Sequence, residues 1–178
     1  MSGWRTLEGV PIADIYDAIC AENKKVTDEN GMLIAYVGCD GQNIGRDYTS
    51  FVQCVALHNI KDTGRGAGGR VFFIRHLEKR YFERNRRLLR EAEIAINLTQ
   101  KLQPLLDELG IVFEVHADVN SNPAYESNSV HDAIAGWIQS MGWECKTKPD
   151  AFVASIVADR HTRGCRFRKK KKPILLKS

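Results

Sequence analysis

The chain of 178 residues lacks any apolar run near the ~20 residues that a membrane-spanning helix needs. Its first residues, Met-Ser-Gly-Trp-Arg-Thr-Leu-Glu, also lack the apolar core of a secretory signal peptide. Both observations predict a cytoplasmic protein. Hydrophobic residues nevertheless make up 43% of the chain, which is enough for the core of one globular domain and argues against disorder.

Closely spaced cysteine pairs are also absent. The five cysteines are an odd number, and no Cys-x-x-Cys motif joins any two of them. Zinc knuckles and disulfide frameworks both use closer, paired cysteines. We therefore expect reduced cysteines that serve mainly in packing. They are Cys20, Cys39, Cys54, Cys145 and Cys165.

Acidic residues are missing from the end of the chain. Residues 160–178 hold nine Lys and Arg and no Asp or Glu, so 17 basic and 22 acidic residues remain elsewhere. Basic tails commonly bind phosphate backbones, although a solubilising terminus has the same composition. We expect a single domain over residues 1–165, which begins with a helix, followed by a basic tail over residues 166–178.

Hydrophobic periodicity predicts an α/β fold. A helical pattern comes first, three strand-like runs follow, and helices then alternate with strands. This order implies a five-stranded mixed sheet flanked by helices. Pro104 is expected to kink or interrupt the longest helix. The predicted helices span residues 11–24, 78–109, 127–141 and 149–160, and the predicted strands span residues 33–39, 50–60, 70–77, 111–119 and 143–146.

A glycine-rich segment separates the second predicted strand from the third. Gly64, Gly66 and Gly69 have the spacing of a dinucleotide-binding loop, but such a loop leads from a strand into a helix. A strand follows here, so we predict a mobile hairpin loop instead. Its candidates for phosphate contact are Lys61, Arg65 and Arg70.

Three acidic residues fall near the ends of predicted elements. Asp40 ends the first strand and Asp118 nearly ends the fourth, although taken singly either has an ordinary structural explanation as a turn former. Asp150 opens the last helix, where Thr147 and Pro149 also suit a helix start. If the first and fourth strands are adjacent, these acids can converge, and clustered carboxylates favour hard divalent cations.

Glu91 is more informative because it interrupts an apolar stripe along the long helix. The stripe has the spacing of one helical face, so Glu91 is predicted to point toward the sheet, while Glu93 points toward water. A buried carboxylate without a partner costs several kcal/mol, so it needs a metal ion, a cation or a proton. The stripe comprises Leu88, Glu91, Ala95, Leu98, Leu102, Leu105 and Leu109.

His116 precedes Asp118 by two residues, so both side chains share one face of the predicted strand. His116 can position substrate or assist protonation, or it can be a hydrogen-bonded histidine at the sheet edge, and the sequence leaves both open. Asp159 lies about half a helical turn out of phase with Asp150, so a straight helix can direct only one of them to the site.

At these positions the sequence resembles the YkuK-type family of ribonuclease H-like proteins. The resemblance extends from about residue 10 to residue 163. One departure is Gly41, where we expect serine in the family. The resembling segments are Val-Gly-Cys-Asp-Gly-Gln around Asp40, Arg-Leu-Leu-Arg-Glu ending at Glu91, Val-His-Ala-Asp-Val-Asn around Asp118, and residues 149–160.

The resemblance implies an RNase H-like fold and, through the wider superfamily, a metal-dependent nuclease acting on DNA or RNA. Asp40, Glu91, Asp118 and Asp150 would hold Mg²⁺ or Mn²⁺, and His116 is a further catalytic candidate. The last predicted helix also resembles the Asp-Ala-Leu-Ala pattern of Holliday-junction resolvases, which favours a metal role for Asp150.

Two other functions stay open. A non-catalytic nucleic-acid-binding module would keep the fold without cleavage. A nucleotide-binding relative of the actin–hexokinase ATPases would share such a sheet, but those proteins usually place a cleft between two domains, which 178 residues do not supply. Attraction of a polyanion is assigned to the tail and to cations around the start of the long helix. These are Lys79, Arg80, Arg84, Arg86, Arg87 and Arg90.

Removal of residues 166–178 should weaken nucleic-acid binding and flatten its dependence on salt. The truncation removes seven of the nine cations in residues 160–178, and each cation bound to a duplex phosphate contributes about −0.9 to the slope of log K against log salt. The measurement is titration of a labelled oligonucleotide at several salt concentrations with both proteins. An unchanged slope would mean that the tail serves solubility alone.

Overall fold

A computed structural model of the protein describes residues 3–153. The strands are β1 (Arg5–Thr6), β2 (Gly31–Ile44), β3 (Tyr48–Lys61), β4 (Gly66–Lys79), β5 (Val112–Asn120) and β6 (Glu144–Lys148). The helices are α1 (Ile15–Asp28), α2 (Arg84–Glu108) and α3 (His131–Ser140), with a short 3-10 helix over Glu126–Val130. The boundary expected at residue 165, together with Asp159 and Cys165, lies outside the described residues.

The strands form one mixed sheet in the order β1–β4–β3–β2–β5–β6. β2, β3 and β4 are joined as antiparallel hairpins, whereas β5 runs parallel to both β2 and β6. The predicted α/β class and mixed sheet are therefore confirmed, with six strands instead of five. The additional strand, β1, has only two residues and pairs with β4 at the sheet edge, and so short a segment carries no alternating hydrophobic pattern.

The first three long strands extend further than their hydrophobic runs. β2 does not end before Asp40 but continues to Ile44, because its antiparallel pairing with β3 persists to the hairpin turn. The expected hairpin loop over residues 61–69 is also shorter, since β4 already begins at Gly66. A Cβ atom at Gly69 would lie 2.6 Å from the Leu57 carbonyl oxygen, so glycine permits the close approach of β3 and β4 there.

Several helix boundaries differ from the predicted ones. α1 begins at Ile15 rather than near Pro11, because the Asp14 side chain accepts a hydrogen bond from the Tyr16 backbone N–H and caps the helix. α2 begins at Arg84 and not at residue 78, since residues 78–79 still belong to β4 and residues 80–83 connect the two elements. Pro104 does not interrupt the helix. It ends before Gly110, whose φ of 65° suits glycine.

The chain after β6 also differs from its predicted conformation. The helix expected to start at Pro149 does not begin there, because residues 149–150 form a turn and residues 151–152 have no regular structure. Thr147 accepts backbone hydrogen bonds from Asp150 and Ala151 through its carbonyl oxygen, so the turn replaces the expected helix cap. The rest of that predicted helix lies outside the described residues.

Most of the core lies between the sheet and its helices. Alternate residues of β2 and β5, such as Val37 and Val115, are buried on the same side as the α2 residues Leu88 and Leu102. A smaller cluster on the opposite sheet face comprises Val52, Cys54, Ala56, Phe73 and Val153. Within residues 3–153, no helix is long and apolar enough to cross a membrane.

Candidate functional site

The site begins where β2 and β5 separate. Their parallel pairing runs from Ile34 opposite Val112 to Gly38 opposite His116. The same register, continued by two residues, sets Asp40 opposite Asp118. The adjacency of these two strands, on which the convergence of the acids depends, is therefore present, and the two aspartates flank the point of separation.

The side chains of the two aspartates project from the sheet face opposite α2. Ala117 and Val119, which flank Asp118, belong to the core cluster that contains the helix. Cys39 belongs to the same cluster, and a side chain at Gly41 would contact Glu91 of α2. Because strand side chains alternate between faces, Asp40 and Asp118 both project the other way.

Glu91 approaches the strand opening from the helix side. Glu91 is only 4% exposed, and the nearby Gly41 backbone favours its charged form. Burial raises the pKa of Glu91 well above its usual value, and the charges of Asp40 and Asp118 raise it further, while Arg87 opposes them. All three carboxylates therefore interact electrostatically, with Glu91 as the common member.

The orientation of α2 agrees with its apolar stripe. Glu91 points inward, whereas Glu93 is partly exposed and pairs with Arg90 at 2.8 Å. A small cavity of about 10 Å³ lies between Cys39, Glu91 and Asp118, close to the smallest space that admits one water molecule. Of the three acids, Glu91 and Asp118 border this cavity, and most of its other lining residues are apolar.

Two cations accompany these acids. The Arg87 Nε atom lies 3.3 Å from Glu91 Oε1, one helical turn away, and Lys148 at the end of β6 pairs with Asp118. Arg87 was identified only as a cation that attracts nucleic acid, and the sequence offers no signal for Lys148, because its pairing depends on the register of β6 against β5. Within residues 3–153, no three His, Cys, Asp or Glu side chains are close enough, as they stand, to hold one metal ion.

Asp150 is not brought into this group of acids. It is exposed in the turn after β6, and its negative charge helps to raise the pKa of Lys146. The largest contribution to that raised pKa is instead the hydrogen bond from Lys146 to Glu144. The structure therefore places Asp40, Glu91 and Asp118 together and leaves Asp150 at the surface.

His116 is buried, and both nitrogen atoms of its ring form hydrogen bonds. Its Nδ1 atom accepts a hydrogen bond from the Val153 backbone N–H at 3.4 Å, so Nε2 carries the proton and donates to Glu114 at 3.2 Å. Burial lowers the pKa of His116, which favours the neutral ring. The ring also contacts Phe152. His116 thus anchors residues 152–153 to the sheet. It is hydrogen-bonded as one of its two predicted roles required, but it does not lie at the sheet edge, because β5 runs between β2 and β6.

The close approach of α2 to β2 explains glycine at position 41. A Cβ atom there would lie 2.6 Å from Phe51 Cε1 and 2.8 Å from Glu91 Oε1. Phe51 is fully buried and cannot easily move aside. Serine, which we expect at this position in the family, would therefore require the aromatic ring or the carboxylate to shift.

Gly41→Ala should lower the free energy of unfolding by about 1–3 kcal/mol, the usual cost of overpacking a core. Gly136→Ala is the matched control, because nothing lies within 4 Å of a Cβ atom at that helical position. The control should stabilise the protein by roughly 0.5–1 kcal/mol. Urea denaturation of both variants measures the difference. Equal stabilities would contradict the tight contact between Gly41, Phe51 and Glu91.

Comparison with known proteins agrees with this architecture. A family model described as "Ribonuclease H-like" matches residues 14–163, which include β2, α2 and β5. A relative from Bacillus subtilis (strain 168), named "Uncharacterized protein YkuK", is 29% identical over a region that covers 76% of this chain and 83% of the relative. The chain therefore belongs to the ribonuclease H-like family and is of the YkuK type.

Proposed function

We propose that the protein is a metal-dependent nuclease that hydrolyses phosphodiester bonds at the opening between β2 and β5. The observation that carries this proposal is the arrangement of three acids at the opening. The register of β2 and β5 sets Asp40 opposite Asp118, and α2 brings the buried Glu91 to the same point. Membership of the ribonuclease H-like family supports a nuclease or nucleic-acid-related function in general. Clustered carboxylates beside a strand opening supply what metal-assisted cleavage of a phosphodiester requires.

The donor atoms fit a hard divalent cation such as Mg²⁺ or Mn²⁺. They are carboxylate oxygens, which these ions prefer. Glu91 Oε1 is buried and has no hydrogen-bond donor within the described part of the chain, since its contact with Arg87 lacks hydrogen-bond geometry. Asp40, Glu91 and Asp118 would hold the ion, which would supply an activated water and stabilise the leaving oxygen.

Lys148 must release Asp118 before such an ion can bind. In the structure the ammonium group pairs with that carboxylate and offsets part of the negative charge of the site. A divalent cation would take over this role with twice the charge. The released lysine would remain beside the site, where it can contact a substrate phosphate.

Asp150 is proposed as a fourth ligand of the ion. It follows Lys148 by two residues, in the turn that leaves β6. His116 holds Val153, three residues further along, and thereby limits the positions that the turn can take. In this proposal His116 acts by positioning the turn and does not itself exchange protons with substrate.

A non-catalytic nucleic-acid-binding module is the second candidate. One observation favours it: Arg87 and Lys148 already accompany two of the three acids. A protein that never binds metal could use these pairs to stabilise its fold. Binding without cleavage distinguishes this candidate from the nuclease.

Asp40→Asn and Asp118→Asn should each abolish Mn²⁺-dependent cleavage, because a neutral amide balances the charge of a divalent cation poorly. The assay incubates each variant with labelled single-stranded and duplex DNA and RNA, after melting curves have shown that the variant is folded. Asp107→Asn, at an exposed position near the end of α2, is the control and should cleave normally. Near-normal cleavage by either site variant would refute the assignment. No cleavage by the unmodified protein would favour the binding module.

Glu91→Gln should raise the melting temperature without metal and reduce the further increase that Mn²⁺ produces. A raised pKa means that folding disfavours the ionised form of Glu91 relative to the neutral form, and glutamine is always neutral. A ligand that binds only the native state stabilises it, so loss of a metal ligand reduces that gain. Glu93→Gln is the matched control on the exposed side of α2 and should do neither. A Mn²⁺ effect lost only in Glu93→Gln would exclude Glu91 as the ligand.

A further inference from the structure

A second surface lies at the same end of the sheet as the acids. We call it the aromatic–basic edge and define it as Arg46, Tyr48, Lys79, Arg80 and Phe82. It joins the β2–β3 hairpin to the segment between β4 and α2. The Arg80 backbone N–H donates to the Asp47 carbonyl oxygen at 2.9 Å, and its guanidinium group donates to the Gly45 carbonyl oxygen. These bonds hold the two segments together.

Phe82 is the most conspicuous member of this edge. Its side chain is 84% exposed, more than any other large hydrophobic residue within 3–153. The guanidinium carbon of Arg80 lies 5.5 Å from the centre of its ring. Tyr48, also more than half exposed, lies opposite Lys79 in the pairing of β3 with β4. An isolated exposed aromatic residue is common, but here two occur among cations.

A cleft beside Phe82 adds independent support. Its volume is about 330 Å³, and it is lined by Glu78, Lys79, Arg80, Tyr81, Phe82, Glu83 and Arg86. Small-molecule sites typically begin at about 300 Å³. The cleft is therefore large enough for a planar ring. Its walls carry aromatic and cationic groups, and its two carboxylates pair with arginines, Glu78 with Arg90 and Glu83 with Arg86.

The distribution of ion pairs leaves the edge positively charged. Four of the six cations expected to attract nucleic acid already pair with carboxylates: Arg84 with Glu126, Arg86 with Glu83, Arg87 with Glu91, and Arg90 with Glu78. Among the described residues, no carboxylate lies within ion-pair distance of the other two, Lys79 and Arg80, or of Arg46. Of the six cations, the two without an ion pair, Lys79 and Arg80, thus belong to the edge that carries Phe82.

We infer that the aromatic–basic edge binds single-stranded nucleic acid. An unpaired base stacks on Phe82, and the adjoining phosphates contact Arg46, Lys79 and Arg80. Stacking on aromatic side chains along a cationic surface is how single strands are held without sequence preference. A duplex keeps its base faces covered and gains little from an exposed aromatic ring. This inference rests on the proposed nuclease function and names its substrate class.

The edge is close enough to the acids for one strand to reach both. β2, β4 and β5 run in the same direction, so their carboxyl ends lie at one end of the sheet. Asp40 is four residues before Ile44, the pairing partner of Tyr48, which corresponds to roughly 13 Å at about 3.3 Å per strand residue. A strand anchored on Phe82 can therefore extend to the strand opening within a few nucleotides.

The test measures binding of labelled oligo(dT), oligo(U) and a duplex of equal length in EDTA, so that no cleavage occurs. Phe82→Leu should weaken single-strand binding about 5-fold or more, because stacking contributes ~1–3 kcal/mol per base. The slope of log K against log salt should not change, since no charge is lost. Phe82→Trp should retain affinity. Lys79→Gln should reduce the slope by about 0.7, the value for one phosphate contact to a single strand.

Tyr16→Leu is the matched control, because Tyr16 is an exposed aromatic residue on α1 whose hydroxyl group bonds Lys101, far along α2 from Glu91. It should change neither affinity nor slope. Unchanged single-strand binding by Phe82→Leu, or equal losses on duplex and single strand, would overturn the inference. If the unmodified protein cleaves while Phe82→Leu binds normally, only the stacking inference fails. If Phe82 controls binding but no Mn²⁺-dependent cleavage occurs, the nuclease proposal fails and the binding surface stands.

Discussion

The buried carboxylate of Glu91 requires neighbours that offset its charge or donate hydrogen bonds to it. α2 carries this group into the interface with the sheet, where water cannot solvate it and where Asp40 and Asp118 repel it. An uncompensated buried charge is costly, so each neighbour that donates to it or offsets its charge contributes to the stability of the fold. The Gly41 backbone and Arg87 supply this compensation in part.

The position of Glu91 also constrains β2, the strand that α2 packs against. The helix must approach β2 closely for Glu91 to reach the strand opening, and only a residue without a side chain fits between Glu91 and Phe51. The separation of β5 from β2 beyond Gly38 then leaves room for two aspartates beside the buried glutamate. Packing, backbone hydrogen bonding and electrostatics thus meet at one position, which is also where the proposed chemistry would take place.

The site is a cluster of acids, whereas the surface around the start of α2 is rich in cations. Most arginines at the start of α2 pair with nearby carboxylates, so a count of cations along the helix overstates the positive field around it. The cations next to Phe82 are the exception. The proposed function therefore divides between a cluster of acids that would hold metal and an adjacent edge that would hold the strand.

Much of the fold, and the inward direction of Glu91, could be predicted from the sequence because both follow from hydrophobic periodicity. The alternation of apolar runs identified the long strands, and the stripe on α2 identified Glu91 as inward-facing, because both periodicities follow from backbone geometry. The order of elements led to a mixed sheet through general rules of chain connection. Element boundaries were less accurate, since β2 continues past Asp40 by pairing with β3, and pairing is not encoded in the run itself.

The sequence by itself determined the α/β class, the long strands, the inward phase of Glu91 and the excess of positive charge after residue 160. The tertiary structure decided that Lys148 pairs with Asp118, that His116 binds the Val153 backbone, and that Asp150 stays exposed. It also decided which cations remain available beside Phe82. The physical reason is that periodicity is a property of neighbouring residues, whereas ion pairs and hydrogen bonds between distant residues depend on strand register and on how closely a helix packs.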